Sequence, residues 1–253
     1  MKVTFLGTGT SQGVPFIGCS CPVCTSADKR DNRLRTSVLI ETPEATVVID
    51  SGPDFRQQML RAGVRHLDAL VFTHGHKDHT AGMDDIRAYN FHSNKAMAVY
   101  ATEATQEVLK REFNYVFAEH NYPGIPQVHL HTISNQPFAI KGLEVVPVRV
   151  LHYKMEVFGF RIGNFTYITD ANYIAPEELE KTRGSEVFVL NALRHQKHVS
   201  HYALEEAVEI AHATGAKNSY FTHISHQLGL HAEVQRQLPE NMHLAYDGLI
   251  LEL

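Results

Sequence analysis

One stretch constrains this chain more than any other: the apolar run Ala69-Leu70-Val71-Phe72-Thr73 breaks directly into His74-Gly75-His76-Lys77-Asp78-His79. A short apolar, β-branched run closed by glycine reads as a strand. Side chains in an extended segment alternate with period two, so His74 and His76 project to the same side. Asp78 and His79 open the turn into a helix and can face a second centre. Four ligand-type side chains in six residues, aimed by one strand end, suit two metal ions about 3.5–4 Å apart. Histidine makes up 17 of the 253 residues. It is the commonest metal ligand and the usual acid–base near neutral pH, so the excess points the same way.

The three cysteines, Cys19, Cys21 and Cys24, fall together as Cys-Ser-Cys-Pro-Val-Cys. An odd, tightly spaced set makes a poor disulfide framework and a good thiolate chelate. Zinc favours four tetrahedral ligands, so three thiolates leave one place, most often taken by histidine.

Around these motifs the chain alternates short β-branched runs with helical patterns. Eleven candidate strands extend from Val3–Leu6 to Leu249–Leu253, and five candidate helices from Asp54–Arg61 to His231–Gln237. Strands arriving in runs with helices interspersed imply layered sheets covered by helices, an α/β (α+β) class. Residues 1–253 are expected to form one domain, with an irregular, aromatic-rich elaboration at about 89–131. Hydrophobic residues at 43% and charged residues at 20% exclude wholesale disorder. The net charge of −5 comes without a basic block, which argues against a long nucleic acid as partner. No apolar run approaches the ~20 residues of a membrane span, and the N-terminus carries no signal-type segment, so a cytoplasmic location is expected.

His-x-His-x-Asp-His after an apolar strand resembles the metallo-β-lactamase superfamily, and the likeness runs the length of the chain. Thr46-Val47-Val48-Ile49-Asp50-Ser51-Gly52 resembles the family's strand ending in Asp, and His152, Asp170 and His223 end candidate strands at the family's later motifs. The resemblance implies a four-layer αββα sandwich. It places His74, His76 and His152 on one metal, Asp78, His79 and His223 on the other, and Asp170 between them. Asp50 would orient the metal-binding loop from behind the ligands. Two divalent ions, Zn²⁺ or Mn²⁺, would generate hydroxide from a bridging water.

Phe5-Leu6-Gly7-Thr8-Gly9-Thr10-Ser11-Gln12-Gly13-Val14-Pro15 followed by the cysteine triplet is similar to the phosphoribosyl cyclic phosphodiesterases of the carbon–phosphorus lyase pathway. That group implies a structural Zn²⁺ on Cys19, Cys21, Cys24 and His226, with His223 left to the catalytic pair; the swapped assignment of the two histidines stays open. It also implies a catalytic role for His201, which lies 22 residues before His223, with His198 as a second candidate. Arg33, Arg35 and Lys77 read first as ordinary solvated bases, and Tyr89, His92, Tyr115, His120 and Tyr122 first as packing, with a substrate lid as the alternative. The expected partner is a small phosphorylated substrate such as a ribose cyclic phosphate, with no membrane, and a homodimer is possible. Two other classes share these motifs. The tRNA 3′-processing endoribonuclease adds an RNA-clamping arm not visible here. A non-catalytic, metal-stapled binding protein of the pyrroloquinoline quinone biosynthesis type would not need all seven ligands.

Overall fold

The computed structural model describes residues 1–118 and 124–253. The chain runs through β1 (Lys2–Gly7), β2 (Ser37–Glu41), β3 (Thr46–Ile49), β4 (Ala69–Val71), β5 (Met97–Ala101) and β6 (Val128–Thr132). Then come β7 (Phe138–Ile140), β8 (Leu143–His152), β9 (Met155–Ile162), β10 (Phe165–Tyr167) and β11 (Tyr173–Ile174). The last strands are β12 (Val187–Asn191), β13 (Asn218–Thr222), β14 (Met242–Leu244) and β15 (Ile250–Glu252). Among the described residues they form two sheets, ordered β15-β1-β2-β3-β4-β5-β6 and β11-β8-β9-β10-β12-β13-β14, with β7 paired to β8.

The strands are apolar on both faces, which is why they are buried between two kinds of neighbour. Val38, Ile40, Val47, Ile49, Ala69 and Val71 of the first sheet meet Phe158, Phe160, Tyr167, Val187 and Val189 of the second. The intervening residues Leu39, Val48 and Leu70 turn outward onto Phe55, Met59, Tyr89 and Leu109. These belong to α1 (Phe55–Ala62), α3 (Arg87–Ser93) and α4 (Glu103–Glu112), with α2 (Lys77–Thr80) and α5 (Asn114–Phe117) beside them. On the second sheet Phe188, Leu190 and Phe221 face outward against Leu204, Ala207, Ala211 and Val234. Those come from α7 (Leu204–Thr214) and α8 (His231–Gln235), joined by α6 (Pro176–Glu180). The result is the four-layer αββα sandwich the sequence implies. Each buried Val, Leu, Ile or Phe contributes about 1.5–3 kcal/mol, which fixes the strand registers.

Segment 89–131 departs from expectation. Its described residues are not an irregular elaboration: they supply α4, α5 and the parallel strands β5 and β6. Its aromatic residues Tyr89 and Phe113 pack on the outer face of the first sheet. Strands β6, β7, β11 and β14 lack a sequence pattern of their own, because they are short or interrupt their apolar residues with histidine. In both sheets the parallel strands point their carboxyl ends to one edge of the sandwich, and such ends are where α/β sheets gather ligands.

Candidate metal centre

Asp50 follows β3, His74 lies just beyond β4, His152 ends β8, Asp170 follows β10 and His223 follows β13. The short helix α2 brings Asp78 and His79 to the same edge. Three of these residues, Asp50, Asp170 and His223, take left-handed backbone, with φ of 65°, 55° and 55°. Such φ values are rare outside glycine and cluster at functional sites. Asn191 holds the Asp170 turn, its side chain accepting from Ala171 N at 2.7 Å and donating to Ala171 O at 3.0 Å. Nothing in the sequence distinguishes that asparagine from any other at a strand end.

Two groups of donors result. His74, His76 and His152 form one, and Asp78, His79, Asp170 and His223 the other; in each, the ligand atoms lie within 4.8 Å of one another. Asp170 touches both. Its Oδ2 lies 3.4 Å from His74 Nε2 and 2.6 Å from His79 Nε2, and its Oδ1 lies 2.9 Å from His223 Nδ1. The imidazoles are oriented from behind. His79 Nδ1–H donates to Asp50 Oδ2 at 2.7 Å, and His152 Nδ1–H to Ser200 O at 2.9 Å. His74 Nδ1–H donates to Thr73 Oγ1 at 3.0 Å, which in turn donates to Asp50 at 2.8 Å. With Nδ1 engaged behind each ring, Nε2 is the atom that each would offer to a metal.

These residues fit a divalent cation. The Nε2 atoms of His74 and His79 are buried and, among the described residues, make no hydrogen bond of good geometry even though Asp170 Oδ2 lies near both, an expensive arrangement unless something else engages them. Burial disfavours charge at both, yet their neighbours pull them apart. His74 is held well below the usual imidazole range by burial and by His79. His79 is pushed well above it by Asp170, Asp78 and Asp50, which outweigh burial. Asp170 is likewise buried, but His223 and His79 hold its carboxyl well below the ordinary carboxylate range. One donor group is imidazole alone and the other mixes imidazole with carboxylate, a donor set of the N/O type that Zn²⁺ and Mn²⁺ both accept.

Cys19, Cys21, Cys24 and His226 form a third group. His226 Nδ1 lies 3.5 Å from Cys19 Sγ and 3.4 Å from Cys21 Sγ, close to the roughly 3.5 Å edge of a zinc tetrahedron with S and N ligands. The hydrogen bond to His226 draws the Cys21 thiol down to about 6, whereas burial pushes Cys24 up to about 11. Of the two histidines that the sequence left interchangeable, His223 faces Asp170 and His226 faces the thiols. Backbone hydrogen bonds from Thr10 N to Ile224 O and from Ile224 N to Thr8 O tie the N-terminal loop to the loop bearing both.

His201 reaches the centre: its Nε2 lies 3.2 Å from Asp170 Oδ1, and its ring packs against His152 and His223. His198 sits one layer back, its Nδ1 3.1 Å from His201 Nδ1 and 3.2 Å from Ser200 Oγ. The bases stay away from it. Arg33 is buried against Thr8 and His231, Arg35 pairs with Asp54, and Lys77 with Glu112. Tyr89 donates to Val64 O, and Tyr115 bonds Asp84. With His92, Tyr89 lines a separate cavity of about 700 Å³ between α1 and α3, which shares no residue with the donor groups. His120 and Tyr122 lie outside the described residues.

A family model described as the Beta-lactamase superfamily domain matches residues 45–224. With this fold and these motifs, the chain belongs to the metallo-β-lactamase superfamily. The match spans all seven candidate ligands of the first two donor groups and leaves out the cysteines and His226. A crystal structure described as a new diphosphatase from the PhnP family is 44% identical. It superposes with a TM-score of 0.93, over 100% of this chain and 97% of that one. An octanoyltransferase of Porphyromonas gingivalis is 40% identical over 252 residues, 98% of this chain but 51% of that protein. The chain thus spans about half the length of that curated relative. Zinc-bound PqqB from Methylobacterium extorquens, 19% identical with a TM-score of 0.77 and full coverage of both chains, shares the fold.

Proposed function

We propose that this protein is a metal-dependent phosphodiester hydrolase with a dinuclear centre, acting on a small cyclic phosphodiester of the ribose cyclic phosphate type. The observation that carries the reading is Asp170, whose one carboxylate meets His74 of the first donor group and His79 and His223 of the second. A shared buried carboxylate is what a bridged metal pair requires. The likeness to a PhnP-family diphosphatase supports hydrolysis at phosphorus, and a structural zinc on the cysteine group completes the proposed metal content.

Two divalent ions, held by His74, His76 and His152 and by Asp78, His79, Asp170 and His223, would supply a water of lowered pKa at neutral pH and would draw charge from the phosphoryl oxygens. The protein's own residues do the rest. Asp50, Thr73 and Ser200 lock the imidazole tautomers, and Asp170 keeps its negative charge in a buried setting. Burial lowers the pKa of His201, so its Nε2–H serves as a neutral donor to a phosphoryl oxygen. A phosphate anion in the cleft offsets that burial and lets the same nitrogen protonate the departing alkoxide. His198 and Ser200 hold its other nitrogen.

Hydrolysis of bis(p-nitrophenyl) phosphate by protein loaded with Zn²⁺ or Mn²⁺ tests this. Metal-dependent turnover is expected, and His201→Gln should lower it by about 10²–10⁴-fold while metal remains bound. Bound metal without turnover on this substrate would remove the hydrolase reading.

A further inference from the structure

Beside His76 and His152 opens a cleft of about 570 Å³, lined in addition by Tyr153, Lys154, Met155, Val199 and Ser200. Three of these are apolar and conspicuously open to solvent: Tyr153 is 53% exposed, Met155 37% and Val199 65%. An apolar patch continuous with a polar metal centre needs a reason. The backbone supplies a second, independent observation. His152 pairs with Met155 across the β8–β9 hairpin, so Tyr153-Lys154 is a two-residue turn. Turns of that length favour Asn and Gly, because they demand left-handed backbone. Tyr153 occupies it at φ 57°, with its N–H donated to Asn172 Oδ1 at 2.6 Å. A bulky aromatic residue is thus held in a strained conformation although its ring is half out of the core. Strain kept at the mouth of a site points to use there.

From this geometry we infer that Tyr153, Met155 and Val199 form a shelf for the flat base of a nucleotide whose phosphate lies at the metal centre. The inference rests on the phosphodiesterase reading and sharpens its substrate class: the ribose phosphate carries a nucleobase. Aromatic rings bind bases through their π-faces with little dependence on which base is present. A sugar phosphate alone offers no such face. Tyr153 is the residue next to His152, so ring and metal centre lie within the span of a single nucleotide. Lys154, whose ammonium lies 5.3 Å from the Tyr153 ring centroid, adds positive charge at the same rim, opposite in sign to a phosphate.

Calorimetric titration of the Mn²⁺-loaded protein with AMP and with ribose 5-phosphate tests the shelf. The wild type should bind AMP roughly tenfold or more tightly than ribose 5-phosphate. Tyr153→Asn should bring that ratio close to one, while Tyr153→Phe should keep it. Because asparagine suits the turn, Tyr153→Asn should also melt at a higher temperature than wild type, so lost discrimination is not lost folding. Equal affinity of the wild type for the two ligands, or an unchanged ratio in Tyr153→Asn, overturns the inference. If AMP is preferred but bis(p-nitrophenyl) phosphate is not cleaved, the hydrolase reading fails and the shelf stands. If the diester is cleaved without any preference for AMP, the shelf fails and the hydrolase reading stands.

Discussion

A single buried carboxylate, Asp50, arranges much of the centre without belonging to either donor group. Its Oδ1 accepts from Thr73 N at 2.9 Å, and its Oδ2 accepts from Thr73 Oγ1 and His79 Nδ1. Burial raises the pKa of this carboxyl, with His79 opposing, so the pair is held together by mutual need. Asp50→Asn should therefore weaken metal binding by about 10–100-fold, measured by competition with a chelator. A wild-type affinity would show that Asp50 only caps its turn. The identities of Asp50, Asp170 and His223 could be read from the sequence, because strand ends and family motifs mark them. Their left-handed φ values could not, since aspartate and histidine take ordinary backbone nearly everywhere else. Asn191 and Tyr153 were invisible for a related reason: what sets them apart is the partner or conformation that the fold imposes.

At the scale of elements, the loop after β3 is pressed against α2. A Cβ on Gly52 would lie 2.0 Å from Asp78 O, with the backbone on both sides unable to yield. Gly52→Ala should displace α2 and with it Asp78 and His79, so metal content should fall by the share of the histidine–aspartate centre alone, leaving the proposed zinc of the cysteine group. The converse variant, Cys21→Ser, should lower zinc by one per chain and reduce the melting temperature. Unchanged metal counts in either case would refute the corresponding assignment. The fully buried strands were readable because a continuous apolar run such as Val47-Val48-Ile49 fills both faces. Strands β7, β11 and β14, at two or three residues each, were not, because their pairing partners rather than their own residues define them.

Across the whole molecule, the N-terminal loop is anchored by a buried polar network as well as by the cysteines. Arg33 donates to Thr8 Oγ1 and Ala245 O and faces His231 Nδ1 at 3.1 Å, while Asp31 Oδ1 accepts from His231 N. Burial, then Arg33 and Arg30, push the His231 pKa from 6.5 down to about 4, against the weaker pull of Asp28 and Asp31. The folded pKa is depressed, so the unfolded chain binds the proton more readily between these values. The stabilisation is complete above pH 6.5 and is lost as pH falls through 4. His231→Asn, which keeps an acceptor for Arg33, should flatten the fall in melting temperature between pH 6.5 and 4; an unaltered slope would place the acid sensitivity elsewhere.

The central claim is that the two donor groups sharing Asp170 hold metals that cleave a phosphodiester. Its most direct test is the rate of hydrolysis of a nucleoside 2′,3′-cyclic phosphate by wild type and Asp170→Asn, with metal content determined on the same samples. The account predicts turnover in the metal-loaded wild type, with loss of both metal and turnover in Asp170→Asn. A wild type that carries its full metal complement yet leaves the cyclic phosphate intact, or an Asp170→Asn variant that cleaves it at the wild-type rate, would contradict the account.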